Sequence, residues 1–307
     1  MTVRCAASAV TALAAAVVLL APATANARRW GESGHRLVAQ AATAALPADI
    51  PDFFRAAASQ LAYLNPEPDR WRGRGNAALD PAMDRAYAPE HFVDLEMLPA
   101  GALDARDRHA YARRLAERDV DPARAGLLPY RILELTERLR TGFALWRSAP
   151  NARTRQWIEQ RIVNDAGILG HYVADAANPH HTTIHFNGWV GDNPRGYATD
   201  RRVHARFEST YVQEHITLAD VQPNVIRSVR IHEPLRRDVL AYIRASNAHV
   251  TELYELDRQE PFGARTRSAS HKRFTSRRLA AGATMLRDLW WTAWVASAGA
   301  AGAGATR

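Results

Sequence analysis

Residues 155–181 read RQWIEQRIVNDAGILGHYVADAANPHH and predict a long helix that ends in a cluster of candidate metal ligands. The helical pattern runs from Arg155 to Ala177, and the pair Asn178-Pro179 ends it. His171 and Asp175 are four residues apart, so on a helix they share one face. An imidazole and a carboxylate on one helical face can bind a metal together. This segment therefore predicts both a helical fold and a metal site.

The pattern is helical along almost the whole chain. We expect an all-α fold with a single multi-helix domain. Apolar residues recur at helical spacing in the following stretches: His35–Leu46, Asp107–Glu117, Pro129–Trp146, Val225–Leu256 and Arg278–Ser297. Alternating strand patterns of any length are missing. Residues 64–90 and 182–203 are predicted to be long loops, and long loops in a compact helical domain are often functional.

The two ends of the sequence are predicted to lie outside the domain. Residues 1–27 have the pattern of a signal peptide: Arg4, then an apolar stretch too short to span a bilayer, then the cleavage-site pattern Ala-Asn-Ala. We expect residues 28–297 to form the domain and the Ala/Gly-rich residues 298–307 to be a disordered tail. The protein is then secreted or periplasmic and has no transmembrane anchor. Cys5 is the only cysteine, so the mature chain has no disulfide.

The chain is basic, with 40 lysines and arginines, 32 acidic residues and a formal charge of +8. Two interpretations are open. A positive surface favours an anionic partner such as nucleic acid or an acidic membrane. Alternatively, the interleaved arginines and acids form a solvated surface without a partner.

More candidate ligands lie on both sides of His171 and Asp175. Downstream, His181 follows Pro179, and His204 and Glu208 repeat the spacing of four. Upstream, the candidates are Trp30, His35, Asp69 and His91. Imidazole and carboxylate without thiolate are the ligands of hydrolytic rather than structural zinc sites.

In their order along the chain, these motifs resemble the superfamily of zinc-dependent phospholipases C and single-strand-specific zinc nucleases. The motifs are Trp30-to-His35, Asp69, His91-Phe92-Val93-Asp94, and His171, Asp175 and His181 at offsets of four and ten. The resemblance covers most of the chain after residue 29. It implies an all-helical domain with long active-site loops and three zinc ions in a cleft.

The resemblance also implies a role for each ligand. The first zinc would be held by Asp69, His91, His171 and Asp175. The second zinc would be held by His181, His204 and Glu208. The third would be held by Trp30 main-chain groups, His35 and Asp175. Asp175 and Asp69 would be catalytic, since Asp175 bridges the first and third ions and Asp69 orients the hydroxide that attacks phosphorus. Phe92 and Asp94 would bind substrate.

Some features depart from the nuclease pattern. The predicted cleavage site leaves Arg28-Arg29 ahead of Trp30, so either a second trimming occurs or the third site is altered. Glu208 stands where nucleases carry Asp, and His181-Thr182-Thr183 replaces Gly-Gly-Asn. The spacing from Trp30 to His35 and the gap from His181 to His204 are nuclease-like.

Several residues have two readings. His180 is an alternative ligand to His181, and His185 is either an outer contact of the site or an ordinary histidine. Phe92 either stacks on a base or packs in the core. Asp94 accepts hydrogen bonds from a base, caps a helix or supports a metal ligand from outside. Arg70, Arg72 and Arg74 either bind phosphate or form a solvated loop. Trp290, Trp291 and Trp294 form the core of the last helix or a membrane anchor.

Three functions are compatible with the sequence. The first is a secreted, monomeric zinc phosphodiesterase acting on single-stranded nucleic acid or nucleotides, favoured by the basic charge and the nuclease-like spacings. The second is a phospholipase C acting on phospholipid, favoured by Glu208 and by the absence of Gly-Gly-Asn. The third is a non-catalytic metal-binding helical protein.

Overall fold

The computed structural model describes residues 31–72, 80, 83 and 86–303 of the 307-residue chain. This part is all-helical and contains no β-strand, only an isolated bridge between Phe186 and Gly188. The predicted all-α class is confirmed. The predicted signal peptide, Trp30 and Arg74 lie outside the described residues.

The α-helices are α1 (Gly31–Ala44), α2 (Asp52–Ala56), α3 (Ala58–Leu64), α4 (Glu67–Arg70), α5 (Arg108–Ala116), α6 (Pro122–Ala125), α7 (Leu128–Arg147), α8 (Ala152–Ala177), α9 (Val203–Ala205), α10 (Val212–His215), α11 (Leu218–Val221), α12 (Leu235–Asn247), α13 (Val250–Gln259) and α14 (Ala269–Ala303). Short 3₁₀ helices are formed by Ala88–His91, Leu95–Met97, Ala102–Asp104, Pro179–Thr182 and Gln222–Asn224, and Arg206–Tyr211 is a π-helix.

The core lies between the three longest helices. α7 and α8 pack against each other and against α14, and α1 packs on α14 and α3. The predicted apolar stripe of α7 is buried, as Leu139 and Phe143 illustrate. Trp290 is fully buried on α14, and Trp291 and Trp294 pack against the same core. These three tryptophans are therefore part of the core.

Two helix boundaries differ from the sequence prediction. The stretch Val225–Leu256 contains helices only after Pro234, because residues 226–232 are tied to α14 in a non-helical conformation. There the buried Arg287 guanidinium donates to the Ile226 and Ser228 carbonyls. The last helix begins at Ala269 rather than Arg278 and continues to Ala303, beyond the predicted domain end at residue 297. Among the described residues, no helix is both long and apolar enough to cross a membrane.

Candidate metal centre

The end of α8 carries two candidate ligands on one face. His171 and Asp175 are one helical turn apart, and Nε2 of His171 lies 3.2 Å from Oδ2 of Asp175. Both side chains are buried. Gly170 precedes His171 and has no side chain. A Cβ atom at this position would come within 2.3 Å of Nδ2 of Asn65. The glycine thus lets the Asn65 side chain approach α8.

Asn65 orients two of the histidines. His171 Nδ1 donates to the Asn65 carbonyl oxygen at 2.9 Å, and His35 Nδ1 donates to the Asn65 side-chain oxygen at 3.1 Å. A carbonyl oxygen can only accept, so Nδ1 of each ring carries a proton and Nε2 is the nitrogen that can bind a metal. The two rings stack with centroids 4.0 Å apart. Nε2 of His35 is buried without a hydrogen-bond partner, 3.6 Å from Oδ1 of Asp175.

His91 joins this group from the 3₁₀ helix Ala88–His91. Its Nδ1 lies 2.9 Å from Nε2 of His171, 3.0 Å from Oδ2 of Asp175 and 3.9 Å from Oδ1 of Asp69. The segment that carries His91 is fixed along residues 125–128, where the Phe92 carbonyl accepts from Leu128. Nδ1 of His91 can supply at most one proton for these three contacts. Nitrogen and carboxylate lone pairs therefore face one another.

A second group forms after the break at Asn178-Pro179. His181 Nδ1 donates to the His91 carbonyl at 2.7 Å, which leaves its Nε2 facing His204. Nε2 of His181 and Nε2 of His204 lie 3.2 Å apart, and both lie near Oε2 of Glu208, at 3.3 and 2.7 Å. Glu208 belongs to the π-helix Arg206–Tyr211, and π-turns are frequent at functional sites. Asn178 donates to the same Glu208 oxygen at 3.1 Å.

Asp175 links the two groups. Its Oδ2 faces His91 and His171, whereas its Oδ1 lies 3.4 Å from Nδ1 of His181 and 3.6 Å from Nε2 of His35. The carboxylate therefore stands between four imidazoles.

Electrostatics set the protonation of these groups in the metal-free protein. Burial lowers the pKa of His35 to about 3 and the pKa of His91 to about 4, so both rings are neutral at pH 7. Burial alone would raise the pKa of Asp175, but His171 and His181 hold it well below its usual range. Burial also opposes charge on His181, yet Asp175 and Glu208 raise its pKa to about 9. The His181 imidazolium thus offsets part of the charge of the buried Asp175 and Glu208 carboxylates, and a bound cation would replace its proton.

The residues fit metal ions. Three sets offer donor atoms that all lie within 4.8 Å of one another: His35, His171 and Asp175; Asp69, His91 and His171; and His181, His204 and Glu208. Histidine and carboxylate without thiolate suit zinc in a hydrolytic site. The unpartnered Nε2 of His35 supports this interpretation, because a buried lone pair without a donor is costly unless something else binds it.

The structure thus brings together eight of the nine predicted ligands; Trp30 lies outside the described residues. His180 joins none of the three sets. It is buried against Phe207 and Tyr254, and burial holds its pKa well below its usual range. His185 stacks on Trp189 and accepts from Val190 N–H.

The two predicted substrate residues lie next to the site. Phe92 is half-buried and packs on Gly126, where a Cβ atom would come within 2.1 Å of the Phe92 carbonyl oxygen. Asp94 is buried, and its side chain makes no capping hydrogen bond, so the cap interpretation is wrong. Burial and the neighbouring Glu96 raise the pKa of Asp94 to about 7. Their roles toward substrate remain predictions.

The arginines near Asp69 differ from one another. Arg70 pairs with Glu67 at 2.6 Å, whereas Arg72 pairs with the candidate ligand Asp69, with Nη1 at 3.6 Å from Oδ1.

Sequence reasoning missed the orienting roles of Asn65 and Asn178. The Asn-Pro pairs at 65–66 and 178–179, each at the end of a helix that precedes ligands, are the signal that could have found them.

Comparisons with known proteins add a distant structural similarity. No protein-family model matches the chain, and no curated protein matches it in sequence. Among solved structures, the chain is similar to Clostridium perfringens alpha-toxin isolated from avian strain SWCP, with 12% identity and a TM-score of 0.43. The match covers 89% of this chain but only 65% of the toxin chain. A similarity at this level carries no argument about activity.

Proposed function

We propose that this chain is an exported, monomeric zinc-dependent phosphodiester hydrolase that acts on single-stranded nucleic acid or nucleotides. The observation that carries the proposal is the single Asp175 carboxylate shared by four imidazoles, with Asp69 and Glu208 completing the donor sets. We assign Asp69, His91, His171 and Asp175 to the first zinc, and His181, His204 and Glu208 to the second. His35 and Asp175, with main-chain groups of Trp30, would hold a third.

Zinc in such a site lowers the pKa of a coordinated water to about 7 and offsets the negative charge of a reacting phosphoryl group. The protein contributes orientation. Asn65 and the His91 carbonyl fix which nitrogen of His35, His171 and His181 faces the centre. Outer hydrogen bonds of this kind commonly matter for metal affinity.

Two of the candidate ligands are partly exposed, and others are buried. The Asp69 side chain is 21% exposed and that of His204 is 19% exposed, whereas those of His35 and Asp175 are 1–2% exposed. Substrate would therefore approach along a line from Asp69 to His204. Asp69 is the carboxylate that can accept a hydrogen bond from the attacking water, and the Arg72 guanidinium beside it can pair with a phosphate oxygen.

An exposed aromatic pair favours a nucleic-acid substrate. Trp71 and Tyr87 contact each other edge to face with ring centroids 5.8 Å apart, and each is 38% exposed. Trp71 follows Asp69 by two residues, and Tyr87 precedes His91 by four. Exposed aromatic rings next to a cationic group are the usual platform for unstacked bases.

The test is hydrolysis by zinc-loaded protein of single-stranded DNA, RNA and phosphatidylcholine in parallel. We expect cleavage of the nucleic acids, loss of it in Asp175→Asn, and retention of it in Asp165→Asn. Asp165 is a matched control because it is a buried carboxylate on the same helix, paired with Arg138 away from the cluster. Hydrolysis of phosphatidylcholine with no cleavage of single-stranded DNA or RNA would reject the nuclease in favour of a phospholipase C.

One surface feature favours that second candidate. Residues 226–231 expose three aliphatic side chains, Ile226, Val229 and Ile231, which alternate along the segment with the exposed Arg227 and Arg230. Their backbone is held to α14 by side chains that include Arg287 and Thr284. A fixed segment that presents aliphatic and cationic groups together suits an anionic lipid surface.

A further inference from the structure

Residues 183–200 form a loop that is fixed by aromatic contacts. The His185 ring stacks on Trp189 with centroids 3.9 Å apart and planes inclined by 5°. Trp189 in turn contacts Tyr197 and Tyr254. Thr183 Oγ1 and Ile184 N–H both donate to the Glu96 carboxylate. The start of the loop is therefore tied to the segment that follows His91.

The turn around Phe186 is held on both sides. Tyr254 Oη donates to the His185 carbonyl and accepts from Gly188 N–H at 3.0 Å. Gly188 has a φ of 121°, and a Cβ atom there would come within 3.2 Å of the Thr199 backbone. The backbone on each side of residue 186 thus has a defined position, which also defines the position of its side chain.

Phe186 is exposed within this otherwise packed loop. Its side chain is 49% exposed, while its aromatic neighbours pack on one another. Its ring centroid lies 6.3 Å from that of His204, at an interplanar angle of 75°. The exposed ring therefore borders the accessible edge of the His181, His204 and Glu208 set.

Exposed aromatic residues are thus found near ligands of both metal sets, by sequence in the first set and by ring contact in the second. Trp71 and Tyr87 are close in sequence to Asp69 and His91, and Phe186 lies beside His204. The two sets meet at Asp175. A phosphodiester between two nucleosides has one base on each side of the reacting phosphorus, whereas a phospholipid has a head group on one side and acyl chains on the other.

We propose, on the basis of the proposed function, that Phe186 stacks on the nucleobase next to the scissile phosphate on the His204 side. The substrate is then at least a dinucleotide unit whose bases are unstacked. Duplex substrates are excluded, since their base faces are covered by neighbouring bases. Phe186 selects the substrate and takes no part in bond cleavage.

The first test is direct binding, measured by fluorescence anisotropy with a short, hydrolysis-resistant phosphorothioate oligothymidylate and the zinc-loaded full chain. We expect Phe186→Ala to weaken binding roughly 5- to 150-fold, the range that corresponds to one base–aromatic stack. Phe186→Trp should retain binding. Val190→Ala is the matched control, because Val190 is an equally exposed apolar residue of the same loop. Thermal unfolding of all variants checks that the fold is unchanged.

The second test locates the base. In cleavage of single-stranded oligonucleotides, Phe186→Ala should raise KM with little change in kcat. When the base that stacks on Phe186 is replaced by an abasic residue, wild type and Phe186→Ala should have the same KM. An abasic residue on the opposite side of the cleaved linkage should leave the difference in KM between the two proteins intact.

Phosphocholine binding is measured in parallel, because an aromatic ring can bind its quaternary ammonium group through a cation–π contact. Three results would overturn the inference: unchanged oligothymidylate binding by Phe186→Ala, an equal loss in Val190→Ala, or a loss in Phe186→Ala that is confined to phosphocholine. Failure of the proposed function is distinguishable. It would be seen as wild-type protein that cleaves no nucleic acid, whereas failure of this inference alone leaves cleavage intact and insensitive to Phe186.

Discussion

The side-chain oxygen of Asn65 lies 3.1 Å from Nδ1 of His35, thirty residues earlier in the chain, and directs the other ring nitrogen of His35 toward Asp175. The main-chain oxygen of Asn65 does the same for His171. One residue thus orients two candidate ligands, the first through its side chain and the second through its backbone.

We expect Asn65→Ala to weaken zinc binding at the His35 site roughly 10- to 100-fold, the usual effect of losing a partner that orients a ligand. The His171 contact should persist, because it is made by the backbone. Competition with a chromogenic chelator measures the affinity. Asn65→Asp keeps an acceptor oxygen and should lose less. Asn224→Ala is the control, since Asn224 is exposed and bonds only the Asp220 carbonyl. Equal affinity in Asn65→Ala and Asn224→Ala would remove the orienting role.

Protein purified without chelator should contain close to three zinc ions per chain. His181, His204 and Glu208 share no residue with the other two donor sets, and the two oxygens of Asp175 face different histidines, Oδ1 facing His35 and Oδ2 facing His91, so that each oxygen can serve a different ion. The ligands come from distant segments, so a chelator should also lower the melting temperature. Elemental analysis and thermal unfolding measure these two effects. Fewer than two zinc ions per chain would contradict the trinuclear proposal.

Asp175→Ala should reduce activity more than Glu208→Ala. Asp175 lies within 3.0–3.6 Å of four histidines in both parts of the cluster. Glu208 contacts only His181 and His204 among the ligands. The kcat/KM of both variants at saturating zinc decides the question, and comparable losses would argue against a bridging role for Asp175.

Much of the site could be predicted from sequence because its ligands form local pairs. The spacing of four in His171/Asp175 and His204/Glu208 fixes a shared face, and the segment after Pro179 has to turn at the helix end. The order of the remaining motifs supplied His35, Asp69 and His91. The helical class followed from periodic apolar residues such as those of α7.

Long-range contacts could not be predicted in the same way. The effect of Asn65 depends on its approach to Gly170, and no local pattern encodes that proximity. The sequence predicts residues 226–232 as part of a helix, but they are non-helical and bonded to Arg287, Thr284 and Thr292 of α14. The exposure of Phe186 follows from the way the residues around it pack.

Removing zinc should make stability fall with pH in the alkaline range. In the metal-free protein, Asp175 and Glu208 outweigh burial and raise the pKa of His181 to about 9 from an ordinary value of 6.5. A raised folded-state pKa stabilises fully below pH 6.5, and this contribution is lost between pH 6.5 and 9. The free energy of unfolding should fall over that window by on the order of 2 kcal/mol. Chemical denaturation in a chelator measures it, and the zinc-loaded protein, in which the metal replaces this proton, is the comparison. A metal-free protein with the same stability at pH 7 and 9 would contradict the prediction.

The exposed segment at residues 226–231 provides the sharpest test between the two candidate substrates. The double variant Ile226→Glu/Ile231→Glu removes the apolar character of the segment and introduces negative charge, which opposes contact with an anionic lipid surface. Both side chains are exposed, so we expect the fold and the zinc content to be unchanged.

For a nuclease, the rate of single-stranded DNA cleavage by the variant should match that of wild type. In both proteins the rate should fall with added salt, because phosphate contacts release counterions. For a phospholipase C, the variant should lose hydrolysis of vesicles that contain phosphatidylglycerol and phosphatidylcholine while keeping hydrolysis of a soluble short-chain substrate. We expect the nuclease result, and vesicle hydrolysis by wild type that the variant loses would contradict it.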